Sequence, residues 1–506
     1  MNTSAVGTDW LKARAEASPN ALALLVERRA YTFGELDVLV SRLGRRLAAE
    51  GGTPGGHLGL LMNNSLAAVC AVFAAARLGI VLVPLNTRLT PVELAWQIEY
   101  AHCTRVLCAP AFAPTTGERP TIVVPTDPTA FESWLSESMP LTPDMGASDA
   151  PAPGALDSLQ SIVFTSGTTG FPKGAMITFA NHFWSAVGSA FKLGTRPDDR
   201  WLACLPLFHV GGLAILFRSC LYGTAVILHD GFQEEAVLQS LEQDAPTLVS
   251  LVPTMLHRLL DTGLTAATAP SLRLILLGGA AAAPELLARA TAAGLPVAVT
   301  YGLTEATSQV ATSLPEETRL KPGSAGRPLL FSRVAVVDDD GRALPAGEPG
   351  ENVVSGPTIT AGYYGDAQTT AAKWRDGYWS TGDVGYLDGD GDLWVLDRRS
   401  DLIVSGGENV YPAEVERVLQ AHPAVATVCV VGLPHPEWGQ QVAALVVLDE
   451  RNELTAAELL AHCREHLAGY KQPRQIMFAD SLPLTGSGKI ERRTVASLLS
   501  RQQEAA

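Results

Sequence analysis

Charge is scarce in this chain, and basic charge scarcer still. Asp, Glu, Lys and Arg make up 18% of 506 residues, and 37 Lys and Arg against 52 Asp and Glu give a formal charge of −15. Proteins that grip nucleic acid or anionic membranes do so through a basic surface, so this balance speaks against both partners. Cysteine is sparse and scattered. Cys70, Cys103, Cys108, Cys204, Cys220, Cys429 and Cys463 are odd in number and form no C-x-x-C pair, which reads as buried reduced thiols rather than metal ligands or a disulfide framework. Long apolar runs are missing too. The most lipid-like window, residues 66–83, is interrupted by Arg77 and Gly79 and predicts a buried helix running into a strand, with no membrane span. Residues 1–16 show no basic patch leading into an apolar stretch, so no secretory signal is read there and a cytoplasmic location is expected.

What is present is an apolar fraction of 47%, ordinary for a globular protein and enough for a large core. The length suits two or more domains. From about residue 20 to 380, short apolar runs alternate with helix-like stretches, which predicts an α/β fold with largely parallel sheets. Three strand candidates end in loops of small or hydroxyl residues. Residues 161–164 run into Thr165-Ser-Gly-Thr-Thr-Gly170, residues 272–277 into Gly278-Gly279, and residues 297–300 into Tyr301-Gly302. Ligands of open α/β sheets sit beyond the carboxyl ends of strands, so the three loops predict one shared site. Residues 110–155 are rich in Pro, Thr, Ser and Asp and read as irregular surface connection. Beyond the charged run Asp397-Arg-Arg-Ser-Asp401 the pattern changes. An amphipathic helix over 412–419, strands at 425–431 and 442–448, a helix over 456–468 and a strand at 475–478 make a small α+β domain.

The segment Thr165-Ser-Gly-Thr-Thr-Gly-Phe-Pro-Lys-Gly174 carries four hydroxyls, three glycines and one lysine. Glycine lets backbone N–H groups approach an oxyanion, hydroxyls add donors, and Lys173 adds a positive charge, so the loop suits a polyphosphate; a plain surface turn would explain the glycines but not the hydroxyls. It is not a P-loop, because Gly174 follows Lys173 where Ser or Thr is required. Gly486-Ser-Gly-Lys489 mimics the tail of that motif but continues with Ile490.

Six segments in order, Thr165 to Gly174, Pro206-Leu-Phe-His209, Tyr301-Gly-Leu-Thr-Glu305, Ser380-Thr-Gly-Asp383, Asp397 to Pro412 and Gly486-Ser-Gly-Lys489, together resemble the adenylate-forming superfamily of acyl-CoA synthetases, luciferases and carrier-linked adenylation domains. The resemblance runs from about Trp10 to Val495. It implies a large AMP-binding domain at residues 1–397 with the acyl pocket, a hinge at 398–400 and a mobile C-terminal domain at 401–506. Relatives often carry Asp or Lys at the hinge, where this chain has Ser400 beside Arg399. The implied chemistry uses ATP, Mg²⁺ and coenzyme A. Pressing a carboxylate against the α-phosphate of ATP joins two anions, so charge neutralisation and in-line positioning are the main tasks. By the resemblance, Glu305 and Thr165 hold the metal with Thr304 nearby. Ser166, Gly167, Thr168, Thr169, Gly170 and Lys173 serve the phosphates, and Gly279, Tyr301 and Gly302 serve the adenine. Asp383 and Arg398 reach the ribose. Lys489 reaches the reacting carboxylate and phosphate in the first half-reaction, and Gly406 and Gly407 flank the pantetheine arm in the second.

Within the superfamily, Thr178-Phe-Ala-Asn-His182, Asp199-Arg-Trp-Leu202, Pro206 to Leu213 and Phe217-Arg-Ser219 look most like the o-succinylbenzoate:CoA ligases of menaquinone synthesis. Such an acid has two carboxylates. Arg218 is the candidate for the one that is not activated, directly or through water, with a surface arginine as the competing reading. His209 lines the acyl entrance by resemblance, and Thr307 and Ser308 could supply further donors. Another aryl- or medium-chain acyl-CoA ligase and a carrier-protein adenylating enzyme stay open as alternatives, and a homo-oligomer is compatible with the sequence.

Overall fold

The computed structural model describes residues 7–117, 119–137, 155–165, 171–398, 402–449, 454–483 and 490–505. Contacts divide the chain into two compact units. The first comprises Met1–Thr87, Ile98–Phe164 and Gly174–Asp397, and the second Arg88–Gln97, Thr165–Lys173 and Arg398–Ala506.

Two sheets organise the first unit. One has nine strands, in the order Arg327–Pro328, Ser308–Ser313, Val297–Leu303, Leu274–Leu277, Leu248–Leu251, Arg200–Ala203, Ala225–Leu228, Leu22–Val26 and Arg29–Thr32. From Val297–Leu303 to Leu22–Val26 every pairing is parallel. Leu248–Leu251 and Leu274–Leu277 are buried at every residue, as strands covered on both faces require, which is why they read as unbroken apolar runs. The other sheet holds six strands, Thr121–Val123, Cys103–Cys108, His57–Leu61, Val81–Pro84, Leu159–Thr165 and Lys173–Thr178. A smaller antiparallel sheet is built on Gly350–Ser355 and Tyr378–Leu387.

Helices begin and end where local chemistry dictates. The lipid-like window is helix Leu66–Leu78 followed by strand Val81–Pro84. The Ala68 N–H donates to Ser65 Oγ at 3.2 Å, and Gly79 closes the helix at φ 66°, the left-handed stop that glycine takes without strain. Helix Phe33–Ala49 opens on a reciprocal Thr32–Glu35 capping box. Among the described residues no helix is long and apolar enough to cross a membrane.

Residues 110–137 are more ordered than their composition predicts. A 3₁₀ turn Pro110–Thr116, strand Thr121–Val123 and helix Pro128–Glu137 occupy them, while 138–154 lie outside the described residues. The helix starts at proline, a favoured first position, and buries Phe131 and Leu135 one turn apart. Arg46 covers the Trp134 ring at 3.4 Å.

In the second unit, strands Glu408–Val410, Ile403–Ser405, Gly439–Leu448 and Val425–His435 run antiparallel in that order, and Gln475–Phe478 joins Gly439–Leu448 in parallel. Val415, Val418 and Leu419 of helix Pro412–Gln420 pack with Leu459 and Cys463 of helix Ala456–His466 in one core cluster. Val495 and Leu499 pack with Cys429, Val431 and Leu445 in another.

Candidate active site

The nine-stranded sheet brings two of the three sequence-predicted loops side by side. Gly278-Gly279 follows strand Leu274–Leu277, whereas Tyr301-Gly302, expected as a loop, lies within the neighbouring parallel strand Val297–Leu303. The third loop departs from strand Leu159–Thr165 of the six-stranded sheet. Its strand is apolar like the other two, and an apolar run does not disclose which sheet it joins.

Glycine is forced at two of these positions. A Cβ on Gly302 would lie 1.8 Å from the Ser308 carbonyl oxygen, and one on Gly278 would lie 2.7 Å from Thr300 Cγ2. The tight approach at Gly302 lets Val297–Leu303 turn back through the 3₁₀ residues Thr304–Ala306 and pair with Ser308–Ser313, with a register shift at Tyr301 and Gly302.

This turn presents Glu305. The Tyr363 hydroxyl donates to Glu305 Oε1 at 2.6 Å, and the Thr360 N–H donates to the Glu305 carbonyl at 2.7 Å. Both side chain and backbone are thereby fixed, an arrangement that would suit a metal ligand. Strand Tyr378–Leu387 carries Asp383, which is buried. Its Oδ2 accepts from the Tyr301 hydroxyl at 2.5 Å, and its N–H donates to Thr381 Oγ1 at 3.0 Å. The two residues assigned from sequence to adenine and ribose are thus hydrogen-bonded to each other, Tyr301 within one strand and Asp383 within another.

His209 caps helix Val210–Tyr222. Its loop is closed by Gly212, where a Cβ would sit 2.2 Å from the Pro206 oxygen. Asn64 braces the same loop, donating to the Leu205 carbonyl and accepting from the Leu207 N–H, each at 2.9 Å.

Arg218 is the largest surprise. The competing sequence reading put it on the surface, yet it is 2% exposed. Its Nη2 donates to Ser185 Oγ at 3.0 Å, its carbon Cζ lies 5.9 Å from the Trp201 ring centre, and its Nε meets no partner among the described residues. Ser185 Oγ in turn donates to the Thr307 carbonyl at 2.7 Å. Thr307 is fully buried, and its hydroxyl donates to the Thr358 carbonyl at 2.8 Å. The donor that sequence reading offered to the acid is committed to the backbone here. Thr307 and Ser308 have φ of 52° and 90°, conformations that cost non-glycine residues about 1–3 kcal/mol each.

Other residues of the branch-like motifs turn out to be structural. Asp199 is held by Arg273 at 2.7 Å. Thr178 and Asn181 form a capping box, and Asn181 Nδ2 reaches the Pro357 and Ile359 carbonyls at 2.9 Å.

His182 is buried beside Arg218, and desolvation first and the neighbouring positive charge second push its pKa down to about 3. Above pH 6.5 the imidazole is neutral folded or unfolded. Below it the unfolded chain takes up a proton the folded one refuses, so stability is lost as pH falls from 6.5 towards 3, by about 1.4 kcal/mol per unit. His182→Gln is expected to flatten the acid limb of urea midpoint against pH between 7 and 5. An unchanged slope would assign the acid sensitivity elsewhere.

In the second unit, Gly406 and Gly407 have φ of 60° and 83° and form the two-residue turn between strands Ile403–Ser405 and Glu408–Val410, the pair of positive angles a type I′ hairpin demands. Thr165 Oγ1 donates to the Lys173 carbonyl at 3.5 Å, and Lys173 is buried. Ser166, Gly167, Thr168, Thr169, Gly170, Arg399, Ser400 and Lys489 lie outside the described residues, as does the side chain of Arg398.

Residues 11–364 match the family model of the AMP-binding enzyme, and residues 414–489 match that of the AMP-binding enzyme C-terminal domain. The chain belongs to the AMP-binding enzyme family. Among its relatives in this family, the 2-succinylbenzoate–CoA ligase of Bacillus pumilus strain SAFR-032 is 41% identical over 490 residues, 97% of each chain. That of Bacillus subtilis strain 168 is 40% identical over 484 residues, 96% of each. Among solved structures of AMP-binding enzymes, a double mutant of the o-succinylbenzoate CoA synthetase of B. subtilis bound to its product analogue OSB-NCoA gives a TM-score of 0.90 at 38% identity, over 97% of this chain and 98% of that one. The B. subtilis enzyme with ATP and magnesium gives 0.73 at 39% identity, over 96% and 98%.

Proposed function

We propose that this AMP-binding enzyme is an ATP-dependent 2-succinylbenzoate–CoA ligase of the menaquinone route, acting in the cytoplasm. The observation that carries the reading is similarity at about 40% identity, over nearly the whole of both chains, to relatives bearing that name. The acid's side-chain carboxylate attacks the α-phosphate of ATP and pyrophosphate leaves. The thiol of coenzyme A then attacks the acyl carbon and AMP leaves.

The residues fit these tasks. Glu305, held by Tyr363, and Thr165 would hold Mg²⁺, which supplies charge neutralisation on the phosphates. Asp383 and Tyr301, already bonded to each other, would take ribose and adenine, with Gly279, Gly302 and Arg398 completing the nucleoside site. Lys489 would serve adenylation and the Gly406-Gly407 turn the passage of pantetheine, with residues 398–400 as the hinge between the two steps. A second carboxylate calls for a cation, and Arg218 is a buried one whose Nε is unengaged among the described residues.

Pyrophosphate release measured acid by acid, with and without coenzyme A, tests this. Release that depends on 2-succinylbenzoate and yields thioester supports it. Release without thioester favours a carrier-protein adenylating enzyme, and preference for a monocarboxylic aryl or medium-chain acid favours another CoA ligase. Arg218→Met is expected to raise KM for 2-succinylbenzoate by ten- to a hundredfold, about the loss of one charged hydrogen bond, and to leave KM for 4-oxo-4-phenylbutanoate, which lacks the ring carboxylate, within about twofold. Equal effects on both acids would leave Arg218 without a role in recognition.

A further inference from the structure

We propose that Ser185 is a positioning residue that couples recognition of the acid's second carboxylate to the turn presenting Glu305. The proposal rests on the 2-succinylbenzoate reading above and goes beyond it by linking two parts of the site that the motifs leave separate.

Ser185 is buried in helix Phe179–Leu193. A hydroxyl has one proton, and here its use is fixed: Oγ accepts from Arg218 Nη2 at 3.0 Å and donates to the Thr307 carbonyl at 2.7 Å. At one end of the relay stands a buried guanidinium for which no ion pair is found among the described residues and whose Nε is unengaged. Burying a charge without a counter-charge is costly, so an arriving carboxylate has a strong claim on this group. At the other end stands the left-handed pair Thr307 and Ser308, two residues past Glu305. Its other ties run from Thr307 N–H to the Thr304 carbonyl at 3.0 Å and from Thr307 Oγ1 to the Thr358 carbonyl.

Hydrogen bonds in such a relay polarise one another. A carboxylate on Arg218 fixes the guanidinium, the guanidinium orients the Ser185 proton towards Thr307, and the turn is held in the shape that presents Glu305. Coupling of this kind is reciprocal: a dicarboxylic acid raises affinity for Mg·ATP, and Mg·ATP raises affinity for the dicarboxylic acid.

The experiment compares the apparent KM for Mg·ATP in pyrophosphate release at saturating 2-succinylbenzoate and at saturating 4-oxo-4-phenylbutanoate. In the wild-type protein the dicarboxylic acid is expected to lower that KM about five- to twentyfold relative to the monocarboxylic one. Ser185→Ala is expected to erase the difference, Ser185→Thr to restore part of it, and Ser185→Ala with Arg218→Met to show no more loss than Arg218→Met alone. Identical KM values for the two acids in the wild-type protein overturn the coupling without any variant having to fold. Ser185→Ala that lowers only the melting temperature, with the KM difference intact, overturns the role of Ser185. No release with 2-succinylbenzoate at all overturns the functional reading, and the proposal with it, whereas release without coupling overturns the proposal alone.

Discussion

Glu305→Gln is expected to slow pyrophosphate release by about a hundredfold or more and to raise the Mg²⁺ concentration needed for half-maximal rate, while the melting temperature moves by no more than about two degrees. Glutamine keeps the volume of glutamate, and its carbonyl oxygen can still accept from the Tyr363 hydroxyl, which sits 2.6 Å from Glu305 Oε1. The Thr360 N–H bond to the Glu305 carbonyl is a backbone contact and survives as well. Only the charge is removed. In the proposed reaction that charge matters because the attacking carboxylate and the polyphosphate repel each other, and a metal held at Glu305 would be the largest local offset to that repulsion. Tyr363→Phe is the companion variant. It keeps the charge and removes the brace, so a smaller loss of about tenfold is expected, with the metal requirement raised in the same direction. Should Glu305→Gln release pyrophosphate at the wild-type rate with an unaltered metal requirement, the metal is held elsewhere.

Much of the fold could be read in the sequence, for identifiable reasons. Parallel strands buried on both faces announce themselves as apolar runs, and Leu248–Leu251 and Leu274–Leu277 are such runs. The helix and strand at residues 66–83 follow from apolarity broken by Gly79, whose left-handed backbone ends the helix. The small α+β domain was legible because its helix 412–420 alternates buried and exposed residues at helical spacing. Residues 110–137 were not, since proline and threonine dilute an apolar signal that rests on a few positions such as Phe131 and Leu135.

Of the candidate site, the motif glycines, Glu305 and Asp383 could be nominated from the sequence because their chemistry forms a pattern along the chain. Ser185, Asn64 and Tyr363 could not. Each acts through one or two hydrogen bonds to partners 122, 143 or 58 residues away, and a lone serine, asparagine or tyrosine carries no local signature of such a bond. The burial of Arg218 escaped for a related reason. An arginine in an apolar helix reads as an exposed exception until helix Phe179–Leu193 packs over it and supplies Ser185.

Gly302→Ala is expected to be nearly as damaging as loss of Glu305 itself, although alanine adds only one methyl group. The added carbon would lie 1.8 Å from the Ser308 carbonyl oxygen and 2.7 Å from its carbon. Both are backbone atoms, so no side-chain rotation relieves the clash. The chain must open at the register shift between Tyr301 and Gly302, which moves Glu305 three residues on and the Tyr301 hydroxyl that donates to Asp383. Misplacement of about 1 Å at a reacting centre costs about a hundredfold in rate, and the residues proposed for metal and for nucleoside would be displaced together here. A fall of about a thousandfold in pyrophosphate release is therefore expected, with a stability loss of about 3 kcal/mol or more. Gly231→Ala is the control, since a Cβ there meets nothing within 4 Å among the described residues, and it is expected to match the wild-type protein in both measurements. Wild-type release from Gly302→Ala would mean that the turn tolerates opening, and that the shape of the Tyr301–Ser308 segment is not what presents Glu305 for catalysis.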